Sequence, residues 1–168
     1  MFRGDDGWNW ASVTISVPFE GIKNKSESEA PKFKVDSLFY HRPLEVIKAA
    51  LSNTDTEYFH FYPHKTYWQP GDARTPEQVY SELYNSDMFI EEHEHIWNAH
   101  RQSEYETVIV AMMFWSDSTQ LANFGMASLW PVYLFLGNQS KYRRCKRSAF
   151  AAHHLAYIPK VWNLFQMR

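Results

Sequence analysis

The sequence TVIVAMMFWSDSTQLANFGMASLWPVYLFL, residues 107–136, is the clearest structural signal in the chain. It begins and ends with apolar runs of strand length, residues 107–115 and 129–136, which are rich in β-branched and aromatic side chains. A third, shorter run, AHHLAYI at residues 152–158, is followed by Pro159. Short polar segments join the runs, and this arrangement favours an antiparallel meander over parallel strands joined by helical crossovers. The C-terminal third therefore predicts a three-stranded antiparallel sheet.

The region before this sheet has helical periodicity. Residues 43–51, PLEVIKAAL, place their apolar side chains on one face of a helix with proline in its first turn. The sequence TPEQ at residues 75–78 has the pattern of a capped helix start. It predicts a helix that is interrupted at residues 85–87 and continues to about residue 100. The predicted fold is therefore α+β, with upstream helices followed by the meander.

Three further segments complete the predicted organisation. Residues 10–18 alternate in the manner of a short strand, and residues 21–34 are polar and predict a flexible linker. Residues 57–68 are aromatic, contain Pro63 and predict an extended segment. The expected regions are residues 1–35 (strand and linker), 36–105 (mainly helical), 106–159 (the sheet) and 160–168 (a tail).

Composition excludes several classes of protein. Hydrophobic residues make up 45% of the 168 residues and aromatic residues 17%, which excludes a disordered chain. The net charge of −2 means that any nucleic-acid contact must come from a local basic patch. A single cysteine excludes an internal disulfide framework, and no apolar run has the length of a membrane span. With no signal-peptide pattern at the N-terminus, we expect a cytosolic or nuclear protein.

Asp117 is the first candidate for a functional residue. It lies two residues after the apolar run at residues 107–115, at the end of the predicted strand, where an unpaired buried carboxylate would be costly. One interpretation is an aspartate that caps the following turn, together with Ser118 and Thr119. The other is a carboxylate presented at a strand end to hold Mg²⁺, which would require further carboxylates.

The sequence KYRRCKR, residues 141–147, is the second candidate. Its cations could contact phosphates and its tyrosine could stack on a base, so it is a potential nucleic-acid site. It could also be a localisation signal or a solvated loop between two strands. The predicted nucleic-acid-binding residues are Lys141, Tyr142, Arg143, Arg144, Lys146 and Arg147.

Other chemistry has little support in the sequence. The eight histidines show no HExxH pattern, and one cysteine is too few for a zinc finger. No base can be paired with Cys145 as a nucleophile. Glycine-rich phosphate loops and serine-hydrolase elbows are absent from the sequence, so no small-molecule cofactor is expected.

Several long segments resemble one protein family. They are YSELYNSD (80–87), VAMMFWSDSTQLANFG (110–125), SLWPVYLFLGNQSKY (128–142) and AHHLAYIP (152–159), with WASVTISVP (10–18) and YHRPLEVIKAAL (40–51) upstream. In this order they resemble the start of the catalytic domain of Plavaka transposases, proteins of CACTA-like transposons in fungi. The resemblance covers most of the chain up to Pro159.

The resemblance implies an RNase H-like fold, in which three antiparallel strands come first and helices and two further strands follow. It implies that Asp117 is the first acidic residue of a DDE-type triad that holds Mg²⁺ in the complete enzyme. It also implies DNA as a partner and the nucleus as the site of action. Asn123, Asn138 and Lys141 match the family motifs, but the resemblance assigns them no role.

After Pro159 the sequence KVWNLFQMR no longer resembles the family, whose members continue through the second and third acidic residues. We therefore expect an incomplete RNase H-like core that does not catalyse transposition alone, because one aspartate cannot position two metal ions. We also expect apolar side chains of the sheet to face water and to favour self-association. These are Val108, Val110, Met112, Phe114, Trp130 and Tyr133.

Two other functions remain open at this point. The chain could be a non-enzymatic interaction protein derived from a transposon, for example a partner of full-length transposase. It could also be a small metal-dependent nuclease that combines Asp117 with Asp87, Glu91 or Glu92 from the predicted upstream helix.

Overall fold

The computed structural model describes residues 6–17, 26–52, 57–71, 75–120 and 128–159, which form an α+β fold. The described strands are β1 (Asn9–Ser16), β2 (Lys32–Tyr40), β3 (Thr66–Trp68), β4 (Glu77–Val79), β5 (Met112–Ser116), β6 (Thr119–Gln120), β7 (Ser128–Leu136) and β8 (His153–Pro159). The described α-helices are α1 (Pro43–Leu51), α2 (Asp87–Ala99) and the single turn α3 (Lys141–Arg144).

The main sheet has the strand order β1-β2-β8-β7-β5, and β6 pairs with the beginning of β7. Strands β1 and β2 are antiparallel, and β2 joins β8 through the pairs Phe39–Tyr157 and Tyr40–Ala156. A separate two-stranded sheet pairs β3 with β4. Strands β5, β7 and β8 are neighbours in this sheet, as the sequence predicted, but the sheet that contains them is larger than a three-stranded meander.

The chain divides into two compact units, each described here by itself. The first comprises the described parts of residues 1–49, 115–133 and 154–168. In it, the Trp8 ring lies 3.9 Å from that of His41 and 5.0 Å from that of Tyr157, measured between centroids. This stack joins the start of β1 to β8, and the His41 amide donates to the Leu155 carbonyl oxygen (2.8 Å).

The linker predicted at residues 21–34 is wrong over its last part. Residues 21–25 lie outside the described residues, but Lys32 begins strand β2, which the sequence pattern did not reveal. Phe33 and Val35 are half-buried while Lys32 and Lys34 are exposed, so the segment has the period-two alternation of a strand. The lysines mask this alternation when the segment is judged by polarity.

The second unit comprises the described parts of residues 50–114 and 134–153. Its buried apolar side chains include Leu134 and Leu136, which are fully buried on β7. Helix α2 begins where the sequence predicted a new cap, and the Ser86 hydroxyl accepts a hydrogen bond from the Phe89 amide (3.3 Å). Buried Phe89 then anchors the first turn of this helix.

Two predicted elements of this unit are wrong in type or length. The helix expected from residue 75 is instead strand β4, whose residue Val79 pairs with Thr66 of β3. Pairing with a strand from elsewhere in the chain overrides the local capping pattern. The strand expected from residue 107 begins only at Met112; before it, the Asn138 side chain accepts from the Ala111 amide and donates to the Ile109 carbonyl oxygen.

Candidate functional site

Asp117 is exposed and lies between strands β5 and β6. Thr119 pairs with Leu129 and Gln120 with Ser128, so the same register extended by two residues places Asp117 opposite Pro131. At the other end of β7, the Gly137 amide donates to the Ala111 oxygen (2.8 Å), which fits this register without an inserted residue. Asp117 is therefore held at a defined position along β7.

In this register, Pro131 lies opposite the gap between β5 and β6. Proline has no N–H, so β7 cannot donate a ladder hydrogen bond from this position. Pro131 is itself buried, whereas Asp117 and Ser118 are exposed. This exposure of Asp117 agrees with both interpretations of the residue from the sequence.

The metal interpretation needs more donors than the described residues supply around Asp117. Across the described ranges, no group of three or more His, Cys, Asp or Glu side chains is arranged to hold a metal ion. Asp87 accepts hydrogen bonds from the Tyr80 hydroxyl (2.8 Å) and the Gln78 amide (3.2 Å). These bonds lower the pKa of Asp87, the Tyr80 bond most. The residues described here do not by themselves fit the donor set of a two-metal site.

The basic segment forms a compact turn of helix instead of a loop. The Ser140 hydroxyl accepts from the Arg143 amide (3.3 Å) and caps α3, and a 3-10 turn follows at Arg147–Ala149. Ala149 is buried, so the second turn is anchored in the second unit. The segment therefore presents its side chains from a defined backbone.

Arg144 points inward and is held by Glu82. Its Nη2 donates to Glu82 Oε2 (3.1 Å) and its Nη1 donates to the Gln139 carbonyl oxygen. Only 14% of the Arg144 side chain and 5% of the Glu82 side chain are exposed. The other oxygen, Glu82 Oε1, accepts from the Lys141 amide (2.7 Å) at the start of α3. The nucleic-acid role of Arg144 stays a prediction, and the structure gives this arginine a part in packing against Glu82.

The other predicted binding residues differ in exposure. The Arg143 guanidinium lies 4.1 Å from the centroid of the Tyr58 ring and is half-buried. Tyr142 is 80% exposed, and Lys141, Lys146 and Arg147 are also exposed. Phe150 follows them with 83% exposure and a left-handed backbone (φ 47°). We call this set the basic–aromatic surface: Lys141, Tyr142, Lys146, Arg147 and Phe150.

Phe150 was missed by sequence reasoning. A bulky residue with positive φ is unusual and costs about 1–3 kcal/mol, so such residues often mark functional positions. The only sequence signal was an aromatic residue three positions after Arg147, which is too common a feature to single out.

Asn138 is a second residue whose role becomes visible only in the structure. It is fully buried. Its Oδ1 accepts from the Ala111 amide (2.9 Å), and its Nδ2 donates to the His60 (3.1 Å) and Ile109 (2.8 Å) carbonyl oxygens. The Asn138 side chain thus forms hydrogen bonds with backbone groups at residue 60 and at residues 109–111. Without these bonds, the backbone groups would lack a partner, which is costly where backbone is buried.

Asn85 also pairs with backbone groups, here within its own segment 80–87. It is also almost fully buried, and its Oδ1 accepts from the Ser81 (3.2 Å) and Glu82 (3.0 Å) amides. Within the second unit, Glu82 of the family-like segment 80–87 thus contacts Lys141 of the family-like segment 128–142.

The fold and the position of Asp117 define the class of the protein. It is an α+β protein whose sheet presents an exposed acidic residue between β5 and β6, two strands that both neighbour β7. The family model described as Plavaka transposase matches residues 4–163. The chain belongs to the Plavaka transposase family, as the resemblance of its motifs predicted. No curated protein and no solved structure matches the chain significantly. Within the described ranges, no helix combines the length and apolarity needed to cross a membrane.

Proposed function

We propose that this chain is the part of a DDE-type DNA transposase that contributes the first acidic residue of an RNase H-like catalytic domain. The supporting observation is the position of Asp117. It stands at the end of β5, and β5, β7 and β8 are neighbours in the sheet in the order of the sequence. Three such strands with an acidic residue on the first are what the family resemblance implies.

In this proposal the chain does not cleave DNA by itself. Two-metal phosphodiester chemistry needs carboxylates from separate elements to bridge the two ions. Asp117 could supply one ligand to such a site, and Mg²⁺ would provide charge stabilisation in the complete enzyme. The remaining ligands would have to come from residues other than those that the structure describes around Asp117.

The test is a DNA-cleavage assay with the purified chain in Mg²⁺ or Mn²⁺, with Asp117→Asn as the matched variant. We expect no cleavage by either protein. Metal-dependent cleavage that disappears in Asp117→Asn would contradict the proposal and favour the small nuclease that combines Asp117 with Asp87, Glu91 or Glu92.

We further propose that the basic–aromatic surface binds DNA without catalysis and that the chain acts in the nucleus. Three exposed cations can neutralise phosphates, and the rings of Tyr142 and Phe150 can stack on unpaired bases. Arg144 is excluded from this surface because it is turned towards Glu82.

Fluorescence anisotropy with labelled single- and double-stranded DNA over a salt series measures this binding. The change Lys146→Ala/Arg147→Ala is expected to reduce the salt slope by about 1.4–1.8, since each of the two phosphate contacts contributes roughly 0.7–0.9. Lys32→Ala/Lys48→Ala removes two exposed cations elsewhere and serves as the control. Equal slopes for the two double variants would contradict the assignment.

An alternative function is self-association, or association with full-length transposase, and the exposed apolar side chains of the sheet favour it. Met112 (48%), Phe114 (57%), Trp115 (61%) and Trp130 (42%) are large apolar side chains exposed on β5 and β7. The predicted exposure of Met112, Phe114 and Trp130 is confirmed, whereas Val108, Val110 and Tyr133 are half-buried. Light scattering after size-exclusion chromatography should show concentration-dependent oligomers that Phe114→Ser weakens.

A further inference from the structure

Helix α2 carries a row of aromatic rings on a face of the second unit. The His93 and Trp97 rings lie 6.4 Å apart and nearly parallel, and the Tyr62 ring meets His93 edge-on at 6.2 Å, measured between centroids. Tyr62 and Trp97 remain 57% and 51% exposed although they are large and apolar. Together with Glu94 and Asn98 these three residues line an open groove, here called the α2 groove.

Trp97 also borders a second groove on the segment that follows α2. That groove includes Arg101, Glu104, Tyr105 and Glu106, and Tyr105 is 81% exposed. Both grooves therefore combine exposed aromatic rings with carboxylates, and Trp97 belongs to both. This combination distinguishes the face from an ordinary solvated helix, whose exposed side is polar.

The charge of residues 87–106 indicates which kind of ligand the grooves can bind. Residues 87–106 contain six carboxylates and a single arginine. A polyanion such as DNA would be repelled by this segment, since neutralisation of phosphates needs lysine or arginine. A cation is attracted both by the carboxylates and by the negative faces of tyrosine and tryptophan rings.

We propose that the α2 groove binds an arginine- or lysine-bearing peptide segment of another protein chain. The cationic head lies against the Trp97 ring, and Glu94 accepts its hydrogen bonds. Arginine suits this arrangement best, because its planar guanidinium stacks on rings and is weakly hydrated. The site is separate in sequence from the basic–aromatic surface and does not depend on the proposed DNA binding.

The test uses a fluorescein-labelled nine-residue peptide of alternating arginine and glycine, titrated with the full chain in 150 mM salt and followed by anisotropy. Its counterpart with citrulline in place of arginine has the same shape without the charge. We expect the arginine peptide to bind, with an affinity that falls as salt rises, and the citrulline peptide to bind much more weakly.

Two variants and two matched controls locate the binding. Trp97→Ala and Glu94→Gln should each weaken it about two- to fivefold, the range expected for an exposed cation–π or ion-pair contact. Trp10→Ala removes a similarly exposed tryptophan from β1, and Glu91→Gln removes an exposed charge from the same helix outside either groove. Both controls should bind as the unchanged chain does.

Three results would overturn the proposal. In the first, the arginine peptide does not bind. In the second, Trp97→Ala and the unchanged chain bind the arginine peptide equally well. In the third, a labelled oligothymidine binds more tightly than the arginine peptide, and Trp97→Ala abolishes that binding. The last result would identify the groove as a nucleobase site. Because Trp97 and Glu94 are exposed, their variants should fold, which a thermal unfolding curve for each variant checks.

Discussion

Replacing Glu82 by alanine should destabilise the second unit far more than the loss of an ordinary ion pair. The Glu82 side chain is 5% exposed, and its two oxygens accept from the Lys141 amide and the Arg144 guanidinium. Without it, the Lys141 amide loses its side-chain acceptor, and the Arg144 guanidinium, which is 14% exposed, loses its carboxylate partner and keeps its bond to the Gln139 oxygen.

The magnitude follows from these contacts. Removing one partner of a buried ion pair costs about 3–5 kcal/mol, chiefly through the charge that remains. Arg144 is not fully buried and keeps its bond to Gln139, so we expect about 3 kcal/mol for Glu82→Ala. Glu82→Gln keeps an acceptor for Lys141 but loses the charge, and it should cost about half as much.

Urea unfolding followed by circular dichroism measures the change in the free energy of unfolding. The control is Glu45→Ala, which removes the exposed pair between Glu45 and Lys48 (3.2 Å, 62% exposure on both sides) and should cost less than about 0.5 kcal/mol. Arg144→Ala combined with Glu82→Ala should cost less than the sum of the single changes. Equal losses for Glu82→Ala and Glu45→Ala would refute the reasoning.

Three further changes test other contacts. Asn138→Ala leaves buried backbone groups unpaired and should cost about 3 kcal/mol in urea unfolding, whereas exposed Asn98→Ala should cost little. Gly137→Ala brings a Cβ within 2.4 Å of Leu83 Cδ1 and should cost about 1 kcal/mol, which Leu83→Ala in the same chain should partly relieve. Burial lowers the pKa of His153 below 6.5, so the folded state binds fewer protons than the unfolded state near that pH. Stability should therefore fall as pH drops through 6.5 towards the lower folded pKa, and His153→Gln should flatten that dependence in pH-resolved thermal unfolding.

Elements with a local signal could be predicted from the sequence. The bounds of α1 match the PLEVIKAAL segment, and the cap at Ser86 begins α2 where the polar interruption was noted. The strands β7 and β8 follow the two apolar runs within a residue or so. In each case the apolar periodicity and the bounding polar or proline residues lie within the element itself.

The candidate site was predictable only in part. Asp117 stood out because it is a carboxylate at the end of an apolar run, and its exposure at the strand end agrees with that. The basic segment stood out by composition, but composition could not separate the inward Arg144 from the outward Lys146. That difference depends on Glu82, which lies 62 residues earlier in the chain.

The sequence alone therefore determined the family, the central strands and the two helices α1 and α2, because each has its own pattern of residues. Only the tertiary structure decided that residues 77–79 form a strand, that Asn138 joins segments up to 78 residues apart, and which cations remain at the surface. The physical reason is that a backbone group or a charge is satisfied by whichever partner folding brings near, and distance along the chain does not reveal that partner.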